Sequence, residues 1–207
     1  MNDASRRPTR AILVAAPLVV AAVAALALLA VGVGGGGASA TLNATPIEPP
    51  APSPAVAGRD QAGRPVALPA AGRPMVVTFL FTRCPTTCPL IASQLSGALD
   101  ELGRDAEEVD VVAISVDPDG DTPARARAFL RSHGLDGKMR YVVGGMDELQ
   151  PLWSAWQVAA QPADQPSLSL HSARVVLVDR EGRQVGRYAG GLPIPPSDIA
   201  ADIRTLI

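Results

Sequence analysis

Behind Arg6, Arg7 and Arg10 the chain carries no charged residue from Ala11 to Val33. At about 1.5 Å rise per residue such a run is long enough to cross a hydrocarbon core of about 30 Å. That divides the chain into a membrane part and whatever follows. The arginines ahead of the run hold the N-terminus in the cytoplasm. Ala38-Ser39-Ala40 offers a small-x-small cleavage site, but the apolar stretch of a cleaved leader is usually about 7–15 residues. The longer run here favours an uncleaved signal anchor over residues 11–33, behind a cytoplasmic basic segment of residues 1–10. Ser5-Arg6-Arg7 resembles a twin-arginine signal, yet Pro8 and Thr9 follow where an apolar residue is expected. With or without cleavage, everything after about residue 40 is exported; as the uncleaved anchor, the chain crosses the cell membrane once, with its globular domain on the extracytoplasmic side.

Residues 34–55 are glycine-rich and then proline-rich, with Pro46, Pro49, Pro50, Pro52 and Pro54, and the composition predicts a semi-extended tether that buries no core. The remaining residues, 56–207, suffice for one compact core. Residues 1–40 hold Asp3 and three arginines out of a chain of formal charge −2, so the exported part carries −4. A mildly acidic domain has no field with which to collect phosphates, which disfavours a nucleic-acid partner. Two cysteines and two histidines are too few for a zinc-ribbon array or a disulfide-dense scaffold.

Apolar periodicity in the exported part alternates between strand and helix. Met75–Phe81 and Val109–Val116 read as strands buried on both faces, and Ile91, Leu95, Leu99 and Leu102 between them mark one helix face. Asp121 or Thr122 can cap a helix that opens at Pro123, runs through Ala124–His133 and ends at Gly134. Tyr141–Val143 predicts a short strand and Met146–Trp156 a helix with its tryptophans against the sheet. Val175–Val178 and Val185–Tyr188 flank a turn over residues 179–183. A helix over Pro196–Leu206 closes the chain, and a small hairpin around Gly58–Leu68 precedes the core. The order predicts an α/β fold of thioredoxin-like type, a central mixed sheet flanked by helices.

In such a fold the turn from the first core strand into its helix carries the chemistry, because backbone donors and the helix dipole converge there. That turn holds Arg83-Cys84-Pro85-Thr86-Thr87-Cys88-Pro89. Cysteines four apart at a helix entrance bring their sulfurs to one side, close enough to share a metal or to form a disulfide. The helix N-terminus and Arg83 both favour thiolate over thiol. A purely stapling disulfide would close so short a loop that it gains little. Thiolates suit a soft ion such as Cu(I) or zinc, and an added nitrogen donor also admits Cu(II). His133 ends a helix, where an imidazole gains from the dipole. His171 precedes a strand whose end can approach the cysteine turn, so Cys84, Cys88 and His171 are the candidate metal ligands.

Taken together, Phe79 through Pro89, Val116-Asp117-Pro118-Asp119-Gly120-Asp121-Thr122-Pro123, His171-Ser172 before a strand, and Asp179-Arg180-Glu181-Gly182 resemble the Sco/SenC family over roughly residues 56–207. The resemblance implies a membrane-anchored, thioredoxin-fold copper protein that helps assemble the binuclear copper centre of cytochrome c oxidase. Its copper ligands carry over by motif to Cys84, Cys88 and His171. The copper-binding subunit of the oxidase is then the implied recipient, and an exported thiol reductant or copper donor the implied supplier. A disulfide cannot ligate, so redox cycling of the pair would gate loading. Two positions depart from the family pattern: Thr86 stands where Asp often follows the first Cys-Pro, and Leu170 where Asp often precedes the histidine. Loss of both carboxylates should weaken or retune metal binding.

Two other functions use the same residues. A thiol-disulfide reductase without metal would attack through Cys84 and resolve through Cys88, although such enzymes usually have two intervening residues, not three. A peroxidase would need a threonine three places before the reactive cysteine, and Thr82 stands two before. The Asp117–Pro123 stretch reads as structural, with Asp117 no ligand. No catalytic carboxylate pair, phosphate loop or serine triad stands out.

Overall fold

Every residue of Met75–Leu80 is buried, as an apolar run must be when both faces of a strand are covered. The protein is described by a computed structural model at residues 41–70, 72–158 and 173–207. In chain order the elements are β1 (Thr45–Pro52), β2 (Val56–Asp60), β3 (Pro65–Leu68), β4 (Met75–Leu80), α1 (Thr87–Leu102), a 3-10 helix (Gly103–Glu108) and β5 (Asp110–Ser115). There follow α2 (Pro123–Ser132), β6 (Arg140–Val143), α3 (Met146–Ala155), β7 (Arg174–Val178), β8 (Arg183–Ala189) and α4 (Pro196–Arg204).

The strands form one sheet in the order β1-β8-β7-β4-β5-β6-β2-β3. β4, β5 and β6 are parallel, and the pairs to either side of them are antiparallel. Alternation along β4 sends Val76 and Leu80 into a core with α1, α2 and α4, and Met75, Val77 and Phe79 into one with α3. The predicted face of α1 is the buried one: Ile91, Leu95, Leu99 and Leu102 lie at 1–5% exposure, each worth roughly 1.5–3 kcal/mol of apolar burial. Trp153 and Trp156 pack against the sheet, with Trp153 Nε1 donating to the Ser115 carbonyl at 2.7 Å. Gly134, at φ 69°, lets the Leu135 N–H reach the Leu130 carbonyl at 2.8 Å and stops α2.

The proline-rich stretch departs from the predicted tether. Thr45–Pro52 is an edge strand, antiparallel to β8, with a register shift between Pro46 and Ala51. An edge strand needs hydrogen bonds on one side only, so prolines without an N–H are tolerated there. Asp202 of α4 anchors its approach, accepting from the Asn43 and Ala44 N–H groups, each at 2.8 Å. The signal anchor predicted for residues 11–33 and the basic segment before it lie outside the described residues. Among the described residues no helix is long and apolar enough to cross a membrane.

Candidate metal centre

β4 ends at Leu80, and the chain turns once before α1 begins at Thr87. The Cys84 N–H closes that turn on the Phe81 carbonyl at 3.2 Å, and the Leu90 N–H takes the Thr86 carbonyl at 3.1 Å. Thr86, at the N-cap, makes no side-chain cap. The sulfur of Cys84 takes that place, accepting the Cys88 N–H at 3.3 Å. Pro89, lacking an N–H, sits where the first helical turn has no partner to offer one. The two thiols are free, at 8% exposure for Cys84 and 2% for Cys88.

A thiolate at a helix N-terminus gains from exposed N–H groups and from the dipole. The Cys84 thiol is accordingly lowered from an ordinary 9.0 to about 6, first by the hydrogen bond from Cys88, against burial, and further by the N–H groups of Cys88, Thr86 and Thr87. Cys88 moves upward, because it donates its proton to Cys84, is buried and feels the Cys84 charge. At neutral pH the pair is one thiolate sharing one proton. A small cavity of ≈ 10 Å³ adjoins it, walled by Phe79, Phe81, Val116 and Ala173 as well as both cysteines. That is about the volume that admits one water-sized particle.

His171 lies outside the described residues. Ala173, two positions on, does reach the cavity beside both sulfurs. Among the described residues no group of three His, Cys, Asp or Glu side chains could hold a metal ion. The soft donor pair fits copper or zinc. His133 is bound up in α2, its Nδ1 2.8 Å from the Phe129 carbonyl and its ring 4.3 Å from that of Phe129.

Arg83 does not serve the thiolate as its sequence position suggests. It pairs with Asp117 through Nε at 3.0 Å and Nη2 at 2.7 Å, so its charge is matched by a carboxylate. A Cβ on Gly120 would collide with Asp117 Oδ2 and Arg83 Nε, so only glycine admits this clasp. Of the two candidate caps for α2, Thr122 is the one used, its hydroxyl accepting the Arg125 N–H at 3.2 Å. Asp121 is turned inward at 3% exposure. Its Oδ1 accepts from Thr82 N at 2.8 Å and Thr82 Oγ1 at 2.7 Å, and its Oδ2 from Ser115 Oγ at 2.6 Å and Tyr141 OH at 3.1 Å. Burial pushes its carboxyl upward, with the hydrogen bonds from Ser115, Thr82 and Tyr141 opposing. Thr82, whose hydroxyl is spent on Asp121, is not placed as a peroxidase threonine. Sequence reasoning missed this network, whose only trace is a few polar residues, Thr82 after β4, Ser115 closing β5, Asp121 in the loop that follows and Tyr141 in β6, among otherwise apolar segments.

The family described as SCO1/SenC matches residues 59–207. The SCO1 protein homolog of Bacillus subtilis is 25% identical over 139 residues, which cover 65% of this chain and 71% of that protein. The structure of Bradyrhizobium japonicum ScoI with copper bound superposes with a TM-score of 0.63 at 29% identity, over 76% of this chain and 100% of that one. BsSco, whose structure reports a disulfide switch in a member of the Sco family of cytochrome c oxidase assembly proteins, superposes at 0.64 with 22% identity, over 77% and 96%. The last likeness bears on fold alone: an α/β domain with a central mixed sheet flanked by helices.

Proposed function

The chain belongs to the SCO1/SenC family, and from that membership we propose that it is a membrane-anchored copper chaperone. Copper is its cargo, held by the thiolates of Cys84 and Cys88 and the imidazole of His171, and passed to the copper-binding subunit of cytochrome c oxidase or used to prepare that centre. The observation that carries this is the cavity in which Ala173, two residues beyond His171, meets both cysteines. At most about 7 Å of chain separates two such positions. Bradyrhizobium japonicum ScoI, 29% identical, holds copper in its structure, and the soft donor set here suits the same ion.

Loading requires the dithiol. An exported dithiol donor, itself oxidised to a disulfide, supplies two electrons and two protons to a Cys84–Cys88 disulfide; the Cys84 proton passes to solvent, and copper displaces the Cys88 proton as it binds. The helix N-terminus has already stabilised one thiolate, so a single proton has to leave. Residues 11–33 hold the domain at the extracytoplasmic face of the cell membrane, near an oxidase embedded in the same bilayer.

The asymmetry of the pair favours one second reading, a thiol-disulfide reductase. The more exposed Cys84 has the lowered pKa of an attacking thiolate, and Cys88 is the buried resolving thiol. The test is His171→Ala in the full chain in detergent, with Cu(II) added to the reduced protein and followed by absorption. The chaperone predicts a sulfur-to-copper charge-transfer band that shifts and copper affinity that falls by about 10–100-fold, the usual range for disturbing a metal site's supporting groups or more. A variant with the same spectrum and stoichiometry as the parent overturns the ligand set.

A further inference from the structure

We propose that Asp121 is the positioning residue of the cysteine turn: its carboxylate, buried beside the C-terminal ends of β4 and β5 and against Tyr141 of β6, grips Thr82 and so fixes how the two sulfurs stand to each other. The inference deepens the proposed function and rests on Cys84 and Cys88 being the working pair.

The two oxygens of Asp121 do different jobs. Oδ2 is tied to the sheet through Ser115 at the end of β5 and Tyr141 of β6, and Oδ1 is given wholly to the backbone and hydroxyl of Thr82. Thr82 follows Phe81, whose carbonyl closes the turn on the Cys84 N–H, and precedes Arg83, which Asp117 clasps. Residues 82 and 83 are therefore both held by carboxylates of one loop, the β5–α2 connection. The cysteine turn is pinned to the parallel core before α1 begins. Asp121 has no capping duty, since Thr122 caps α2. A buried carboxylate is a costly way to fill space, and an apolar side chain would do that better. What the carboxylate provides is four directed hydrogen bonds, two of them on the segment that leads into Cys84.

A loosened turn lowers the effective concentration of one sulfur at the other. The readout is the exchange Cys84-SH + Cys88-SH + glutathione disulfide → Cys84–Cys88 disulfide + 2 glutathione, in which the cysteines lose two electrons and the two glutathiones formed take up both protons. It is measured on the full chain in detergent micelles, in glutathione buffers of set ratio. Thr82→Val removes the hydroxyl from Asp121, and the equilibrium constant is expected to fall by about tenfold, the scale of one hydrogen bond to a charged group. Thr82→Ser, which restores the hydroxyl, should return it to within about twofold. Tyr188→Phe is the matched control: it deletes a tyrosine bond of 2.5 Å to another buried carboxylate, Asp202. It should lower the melting temperature and leave the exchange constant unmoved. Equal constants for Thr82→Val and the parent, or an equal fall in Tyr188→Phe, would overturn the proposal. The exchange needs no copper, so absence of copper binding by the parent would sink the chaperone reading and leave this inference to be decided on its own.

Discussion

At the Cys84 sulfur two effects of opposite sign meet. Burial disfavours charge, while the proton of Cys88 and three helix N–H groups favour it, and the donors win, bringing the thiol to about 6. The reduced chain should therefore react with iodoacetamide at a single cysteine, Cys84, with a rate that rises through a midpoint near pH 6 and is flat by pH 8. Cys88 should remain unmodified until the protein is unfolded. A midpoint near 9, or equal labelling of both thiols, would contradict the helix-capping role of the sulfur. The sign for stability follows. Cys84 is an acid whose folded value is depressed, so its share of stability is complete above 9.0 and is lost as pH falls through about 6. At this scale the sequence was partly legible. That the helix start would favour thiolate followed from the position of Pro89 and the apolar face beyond it. That Arg83 would be absorbed by Asp117, 34 residues away, did not follow, because no periodicity links a turn residue to a carboxylate at that separation.

Among the elements, those with a continuous apolar face were legible. β4 and β5 are each within a residue or two of their predicted limits, and α1 buries the leucines that announce it. β1 was not, because five prolines in residues 46–54 read as a tether, and only the presence of an open β8 edge makes a strand of the four that fall within Thr45–Pro52. The strand depends on α4 as well as on β8. Asp202, at 1% exposure, accepts from Asn43 N, Asn43 Nδ2, Ala44 N and Tyr188 OH. Asp202→Ala would leave these donors without their acceptor and should cost about 3 kcal/mol. Chemical denaturation gives the magnitude, and amide exchange along β8 should quicken as its outer edge is uncovered. A loss below about 0.5 kcal/mol, the usual size of a neutral surface change, would mean that β1 is held by its ladder alone.

For the whole molecule, topology decides where chemistry can occur. The order β7-β4-β5-β6 puts the C-terminal end of β4 at the centre of the sheet, with the β5–α2 loop on one side and the start of β7 on the other. Cys84 and Cys88 enter from the first, Asp117 and Asp121 from the second, and Ala173 from the third. The cysteines were legible because one short string holds both. The carboxylate network was not, because its partners lie up to 39 residues apart and become neighbours only when the parallel strands and the β5–α2 loop come together. Thr86 and Leu170 stand where the resemblance leads one to expect Asp, and loss of both carboxylates is expected to weaken or retune metal binding, so copper affinity is the property on which the account stands or falls. The direct measurement is an anaerobic titration of the reduced full chain in detergent with Cu(I) against a competing chelator, beside a variant with both cysteines replaced by serine. The account predicts one tightly held equivalent in the parent and none in the variant. Copper uptake by the parent no greater than that of the variant would contradict it and leave Cys84 and Cys88 as a redox pair.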